Sequence, residues 1–227
     1  MKRLKTWAAA AAAAMLALAG TAQASPMTLV DGGLGVLDGD TQLEWTANMN
    51  LNGRMTWAAA NAWIATLNAS HYAGHNDWRL PTLDISDTSC SAGTGDVRTG
   101  YNCSGGELSH LFVTNLGNKA YQSALTQTGD TAEQIANLAL FSNVWTAGGW
   151  SGTEYAPDPN QAWRFRAGIG LQDFQVKSYV LSAVAVRHSD VATAVPEPQT
   201  LALVMLALGA AGVARRRRPA LQPVGSA

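Results

Sequence analysis

Residues Val195 to Arg218 constrain this chain more than any other stretch. They read Val195-Pro196-Glu197-Pro198, then an apolar run from Leu201 to Ala214, then Arg215, Arg216, Arg217 and Arg218. Proline has no N–H to donate and pushes the residue before it towards an extended backbone. Glu197 is therefore expected on an open strand that a processing enzyme could hold. The Leu- and Ala-rich run of 14 residues is shorter than the roughly 17–25 of most membrane spans. The prolines before it and the arginines after it still predict a transmembrane helix over 201–214, because four arginines are costly to move across a bilayer and hold that end in the cytoplasm. Residues 196–218 thus read as one signal. A linker at 191–195 precedes it, and a cytoplasmic tail at 219–227 follows.

The opposite end carries a second membrane signal. Lys2, Arg3 and Lys5 precede an apolar segment, Trp7 to Ala19, and Ala22-Gln23-Ala24 offers small residues in a cleavage pattern. This predicts a secretory signal peptide at 1–24, handed to the Sec machinery and cut before Ser25. Its apolar segment of 13 residues is too short for a permanent anchor. Between the two ends the balance of charge changes. Ser25 to Val195 holds 8 Lys and Arg against 15 Asp and Glu, a formal charge of −7. A body this acidic, with no basic patch, is a poor nucleic-acid binder. Its length suits one exported domain, 25–190, able to bury a proper core.

The order Pro-Glu-Pro, short apolar span, arginine cluster, chain end resembles the PEP-CTERM sorting tag of exported Gram-negative bacterial proteins. The resemblance implies exosortase as a partner. It also implies a precursor held at least transiently in the inner membrane, then a mature protein at the cell surface or outside the cell.

Within the exported body, Gly32, Gly33, Gly35 and Gly39 punctuate two short strands built from Leu29, Val30, Leu34, Val36 and Leu37. Asp38-Gly39-Asp40 reads as a turn; the remaining ligands of a calcium loop are missing. Leu43-Glu44-Trp45 predicts a strand with Trp45 inward. Trp57, Ala60, Ile64 and Leu67 share one helical face, so a helix is expected over 57–67, capped by Thr56. In Asp77-Trp78-Arg79-Leu80-Pro81 the apolar residues alternate with Arg79, which predicts a short buried strand whose arginine needs a carboxylate or carbonyl partner. His71 and His75 are four apart, a metal-ligand spacing only on a helix. Gly74 and Asn76 argue for a loop, so no metal is expected.

Ser86 to Gly106 is rich in Gly and Ser and holds the two cysteines, Cys90 and Cys103. An even cysteine count in an exported chain favours a disulfide over a metal pair. Ser104-Gly105-Gly106-Glu107 matches a capping box, with Ser104 as cap and Glu107 reaching back. A helix with Leu108, Leu111, Phe112 and Leu116 on its apolar face should follow, and Gly117 should stop it. Tyr121 to Asn143 is ambiguous between a long loop and a short helix capped at Thr131. From Val144 the pattern is β. Ala162 to Arg166, Leu171 to Val176 and Tyr179 to Arg187 predict an antiparallel meander whose last strand is apolar on both faces and central. Ser151 lies outside any G-x-S-x-G elbow and is not expected to be a nucleophile.

Asp77-Trp78-Arg79-Leu80-Pro81-Thr82, the Trp57 helix, Trp150 to Tyr155, Ala162-Trp163 and Ala183 to Arg187 together resemble the Lcl C-terminal-domain-like family. The similarity runs from about Leu43 to Arg187. It implies an α+β, C-type-lectin-like fold, with two main helices packed on small twisted antiparallel sheets. Enzymes of related fold use a cysteine pair near the chain's end, and this sequence has no cysteine after Cys103, so that activity is not expected. Three readings of function follow. The favoured one is a non-enzymatic module, without a cofactor, that binds exopolysaccharide or another surface protein, with Trp145, Trp150 and Trp163 as candidate contacts. The second is an extracellular hydrolase of envelope polysaccharide using paired carboxylates such as Glu154 and Asp158. The third is a purely structural matrix protein.

Overall fold

In a computed structural model, residues 27–190 are described. The signal peptide, the linker, Pro196 to Pro198, the helix expected over 201–214 and Arg215 to Arg218 lie outside the described residues. No helix among the described residues is long and apolar enough to cross a membrane.

The described part is α+β, with three helices and two antiparallel sheets. The first sheet takes β1 (Thr28–Val30), β2 (Gly35–Asp38), β3 (Leu43–Thr46) and β9 (Val186–His188), in that order. The second runs β4 (Ala92–Thr94), β5 (Val97–Tyr101), β8 (Leu171–Val176), β7 (Gln161–Arg166) and β6 (Gly149–Glu154). The strands expected near Val30, Val36 and Trp45 are present, and Trp45 is buried. Asp38 turns the chain as expected, its Oδ1 accepting from the Asp40 and Thr41 N–H groups.

Helix α1 spans Trp57–Ala69, two residues beyond the expected end. Thr56 caps it by accepting from the Ala59 N–H at 3.3 Å. Ala60, Trp63 and Leu67 are its buried residues. The inward face is therefore rotated from the expected one: Trp63 carries the packing. Trp57 sits at the edge, donating its indole N–H to the Ser151 carbonyl at 2.9 Å beneath the Lys177 ammonium.

Helix α2 (Glu107–Ser109) passes directly into a π-helical turn, His110–Asn115. Leu108, Leu111, Phe112 and Leu116 are buried as expected, and Gly117 leaves at φ +70°. The expected capping box is wrong. Gly106 is the cap, and its N–H donates to Ser109 Oγ at 3.1 Å. Ser104 is held by Asp87 instead, its N–H donating to Oδ2 at 2.7 Å. Glu107 is drawn away because a half-buried arginine, Arg79, competes for its carboxylate and outbids a backbone N–H. The ambiguous stretch after Tyr121 does contain a helix, α3 (Ala132–Ala139), with a reciprocal box between Thr131 and Gln134.

Cys90 and Cys103 are bonded to each other. The Gly/Ser-rich stretch they bracket folds into the β4–β5 hairpin, which its composition concealed.

The predicted last strand needs correction. Only Val186–His188 is strand, and it joins β3 rather than the meander. The chain before it is extended but changes partner at each step. Leu181 exchanges two hydrogen bonds with Met55, at 2.7 and 2.9 Å. Ser182 bridges to Gly149 and accepts from the Trp150 N–H. The Ala185 carbonyl accepts from the Thr46 N–H, and Val186 exchanges two bonds with Arg79. No single ladder forms, so the segment is not one strand. It is nevertheless central, because Leu181 to Arg187 are all buried. Alternate residues enter different cores: Val184 and Val186 join Trp45, Phe112, Trp163 and Phe165, whereas Leu181, Ala183 and Ala185 join Trp63, Trp78, Leu80 and Trp150.

Two stability outcomes follow. Phe112, fully buried and stacked on Phe165 at 5.2 Å, should cost about 3–5 kcal/mol when replaced by alanine. Replacing Cys90 and Cys103 by serine should cost about 3 kcal/mol, from the loop they close. Urea unfolding of each variant against wild type measures both.

Candidate functional site

A cleft of about 230 Å³ opens between the first sheet and α2. Its floor is Leu43 and Trp45, its back wall the backbone of Gly105 and Gly106, and its polar lining Asp38, Thr41, Glu107, His110 and His188. Strand alternation brings Leu43 and Trp45 to the same side of β3. Asp38 is fixed from the far side, where its Oδ2 accepts from Asn115 Nδ2 at 2.7 Å. The indole N–H of Trp45 is buried and has no hydrogen-bond partner. A cleft of this volume falls below the roughly 300–1,000 Å³ of drug-sized sites and suits one small polar unit.

Two ion networks brace the cleft from behind. In the first, Arg79 forks onto Glu107, Nη1 to Oε2 at 2.6 Å and Nη2 to Oε1 at 2.5 Å. Glu107 Oε2 also accepts from the Thr82 N–H at 2.8 Å. Burial pushes the Glu107 carboxyl up, but these donors outweigh it and hold the pKa below its ordinary value. In the second, Arg187 donates to Glu44 Oε2 at 2.8 Å and to Asp77 Oδ1 at 2.7 Å. Beside Glu44 lie Asp31 and His75, with His75 Nε2 at 3.0 Å from Asp31 Oδ2 and 4.0 Å from Glu44 Oε2. Burial raises the Glu44 carboxyl to about 7, with Asp31 adding to the rise and Arg187 opposing it.

A family model for the Lcl C-terminal domain matches residues 35–187. The chain belongs to that family. A second model, for the PEP-CTERM protein-sorting motif, matches residues 194–218. That motif makes this an exosortase-processed, exported protein of a Gram-negative bacterium with a membrane-anchored precursor. No curated protein matches the chain.

In this Lcl C-terminal domain, the run Asp77 to Pro81 ties the second core to both ion networks. Trp78 and Leu80 are buried in the second core, while Asp77 and Arg79 each take one network. The carboxylate that Arg79 was expected to need is Glu107. The tryptophans put forward as ligand contacts are core residues: Trp145 is 6% exposed, Trp150 0% and Trp163 1%. Gly-rich neighbours suggested surface positions, yet one of those glycines, Gly149, lets backbone pack against the Trp145 ring instead. Trp45 lines the cleft, a position only strand pairing reveals, but at 1% exposed it too belongs to the core. Glu154 and Asp158 do not face one another across a cleft either. Glu154 pairs with Lys177 at 2.6 Å. Asp158 closes its own turn, accepting from Asn160 and Gln161. Ser151 Oγ is buried and donates to the Trp163 carbonyl. His71 stands at the end of α1, exposed, while His75 has left it for the Asp31–Glu44 group.

Replacing Glu107 with glutamine should cost about 1.5–3 kcal/mol near neutral pH, since it removes a charged partner from Arg79 and Thr82. A carboxyl held below 4.5 stabilises the fold fully above about pH 4.5 and loses that contribution as pH falls through its folded value. The gap between wild type and Glu107→Gln, measured by urea unfolding, should therefore narrow on acidification.

Proposed function

We propose that the exported domain is a non-enzymatic module of the cell surface or extracellular matrix that binds exopolysaccharide through the cleft at Trp45. The observation that carries this reading is the sorting motif at 194–218 attached to an acidic Lcl C-terminal domain. Such a domain works in the envelope, where polymeric sugar is abundant. A sugar ring has an apolar C–H face and a polar hydroxyl edge. Leu43 and Trp45 give the cleft an apolar base although both are nearly buried, and the better exposed His110 and His188, with Asp38 behind them, suit the hydroxyls. We read the architecture as C-type-lectin-like, supported by helices packed on two small antiparallel sheets whose loops frame a shallow site.

A hydrolytic reading has less to rest on. Glu154 and Asp158 are tied into a surface ion pair and a turn. Asp31 and Glu44 lie close together beside His75, and neither lines the cleft at Trp45.

Two outcomes are expected. Mass spectrometry of the mature protein from its native host should find a C-terminus upstream of Arg215; an intact arginine tail on secreted material would remove the sorting basis. On an array that includes the host's own exopolysaccharide, the same material should bind, and His188→Ala with Asp38→Asn should weaken that binding at least about tenfold. A uniformly blank array would favour the purely structural reading.

A further inference from the structure

The Asp31, Glu44 and His75 group serves no part of the sugar-binding reading. It is built from three separate elements. Asp31 begins the single turn Asp31–Gly33 after β1, at φ +51°. Glu44 is the second residue of β3, and His75 follows the turn Tyr72–Gly74 beyond α1. The three ligand atoms lie within 4.8 Å of one another.

Glu44 is 3% exposed, and its Oε1 has no hydrogen-bond partner. Such an acceptor, buried beside a second carboxylate, is costly unless something positive meets it. Gly35, on the neighbouring strand, leaves the space Oε1 occupies; a side-chain carbon there would collide with it. Three carboxylates, Asp31, Glu44 and Asp77, crowd here, and Arg187 donates to Glu44 and Asp77 but not to Glu44 Oε1.

We propose that Asp31, Glu44 and His75 form a site for a divalent transition-metal ion of the zinc class. A tetrahedral ion with bonds of about 2.1 Å places its ligands about 3.4 Å apart. His75 Nε2 lies 3.0 Å from Asp31 Oδ2 and 4.0 Å from Glu44 Oε2, the oxygen that Arg187 also holds, and these two distances straddle that separation. An imidazole nitrogen among carboxylates selects against magnesium and calcium, which take oxygen ligands. Three protein ligands leave a fourth position for water. Entry is open, since the Asp31 and His75 side chains are 27% and 22% exposed. The ion would tie the β1–β2 turn to the loop after α1.

The test uses the full-length chain without a polyhistidine tag, purified in detergent, stripped with EDTA and titrated with zinc. Plasma mass spectrometry after dialysis should find one zinc per chain. Cobalt in its place should give visible absorption of a nitrogen- and oxygen-ligated tetrahedral ion. Asp31→Asn and His75→Gln, both at partly exposed positions, should each weaken binding by more than the roughly 10- to 100-fold typical of losing an outer partner. His71→Gln, outside the group, should bind as wild type. Near-ultraviolet circular dichroism establishes that each variant is folded. Wild type that retains no zinc would overturn the site, and so would zinc retained equally by folded Asp31→Asn and His75→Gln.

Discussion

Leu181 to Arg187 is the segment on which both halves of the domain close. It is buried along its whole length, so each backbone group must find a partner inside the protein. It does so by touching Met55, Gly149, Thr46 and Arg79 in succession. An extended chain points alternate side chains to opposite sides, and here the two sides are two different cores. Small residues on one side let α1 and Trp150 approach closely, while Val184 and Val186 fill against the aromatic group around Phe112 and Trp163.

The same segment ends at Arg187, which links core to charge. Arg187 is 2% exposed, and an unpaired guanidinium there would be very unfavourable. Glu44 from β3 and Asp77 from the Asp77 to Pro81 run meet it. Two residues further along that run, Arg79 makes the matching pair with Glu107 at the start of α2. The first sheet and α2 are therefore pinned to the Asp77 to Pro81 run by two arginines, each needing carboxylates supplied from elsewhere in the chain. The cleft at Trp45 and the Asp31–Glu44–His75 group lie around the carboxylates so fixed. Their positions follow from pairing requirements rather than from local sequence.

Much of the local structure was readable. Thr56, Thr131 and Gly117 marked helix boundaries because capping depends on the nearest few residues. Leu171–Val176 was legible as a strand for the same reason. The failures share a cause. The cap at Ser104 was lost because Arg79, 28 positions away from Glu107, took that carboxylate. The strand expected over 179–187 became a shared spine because its partners come from four distant places. Trp145, Trp150 and Trp163 moved inside because glycine spacing reports backbone freedom, not which side of a ring faces water.

By itself the sequence determined that the protein is exported and sorted: prolines, an apolar run and arginines in a fixed linear order make up the sorting motif. It also determined family membership, since the Asp77 to Pro81 run and its companions are linear patterns. Only the tertiary structure decided which side chains meet. Trp45 reached a cleft, and His75 reached Asp31 and Glu44, through strand register and the closure of two cores. Those contacts join residues tens of positions apart, and no local spacing encodes them.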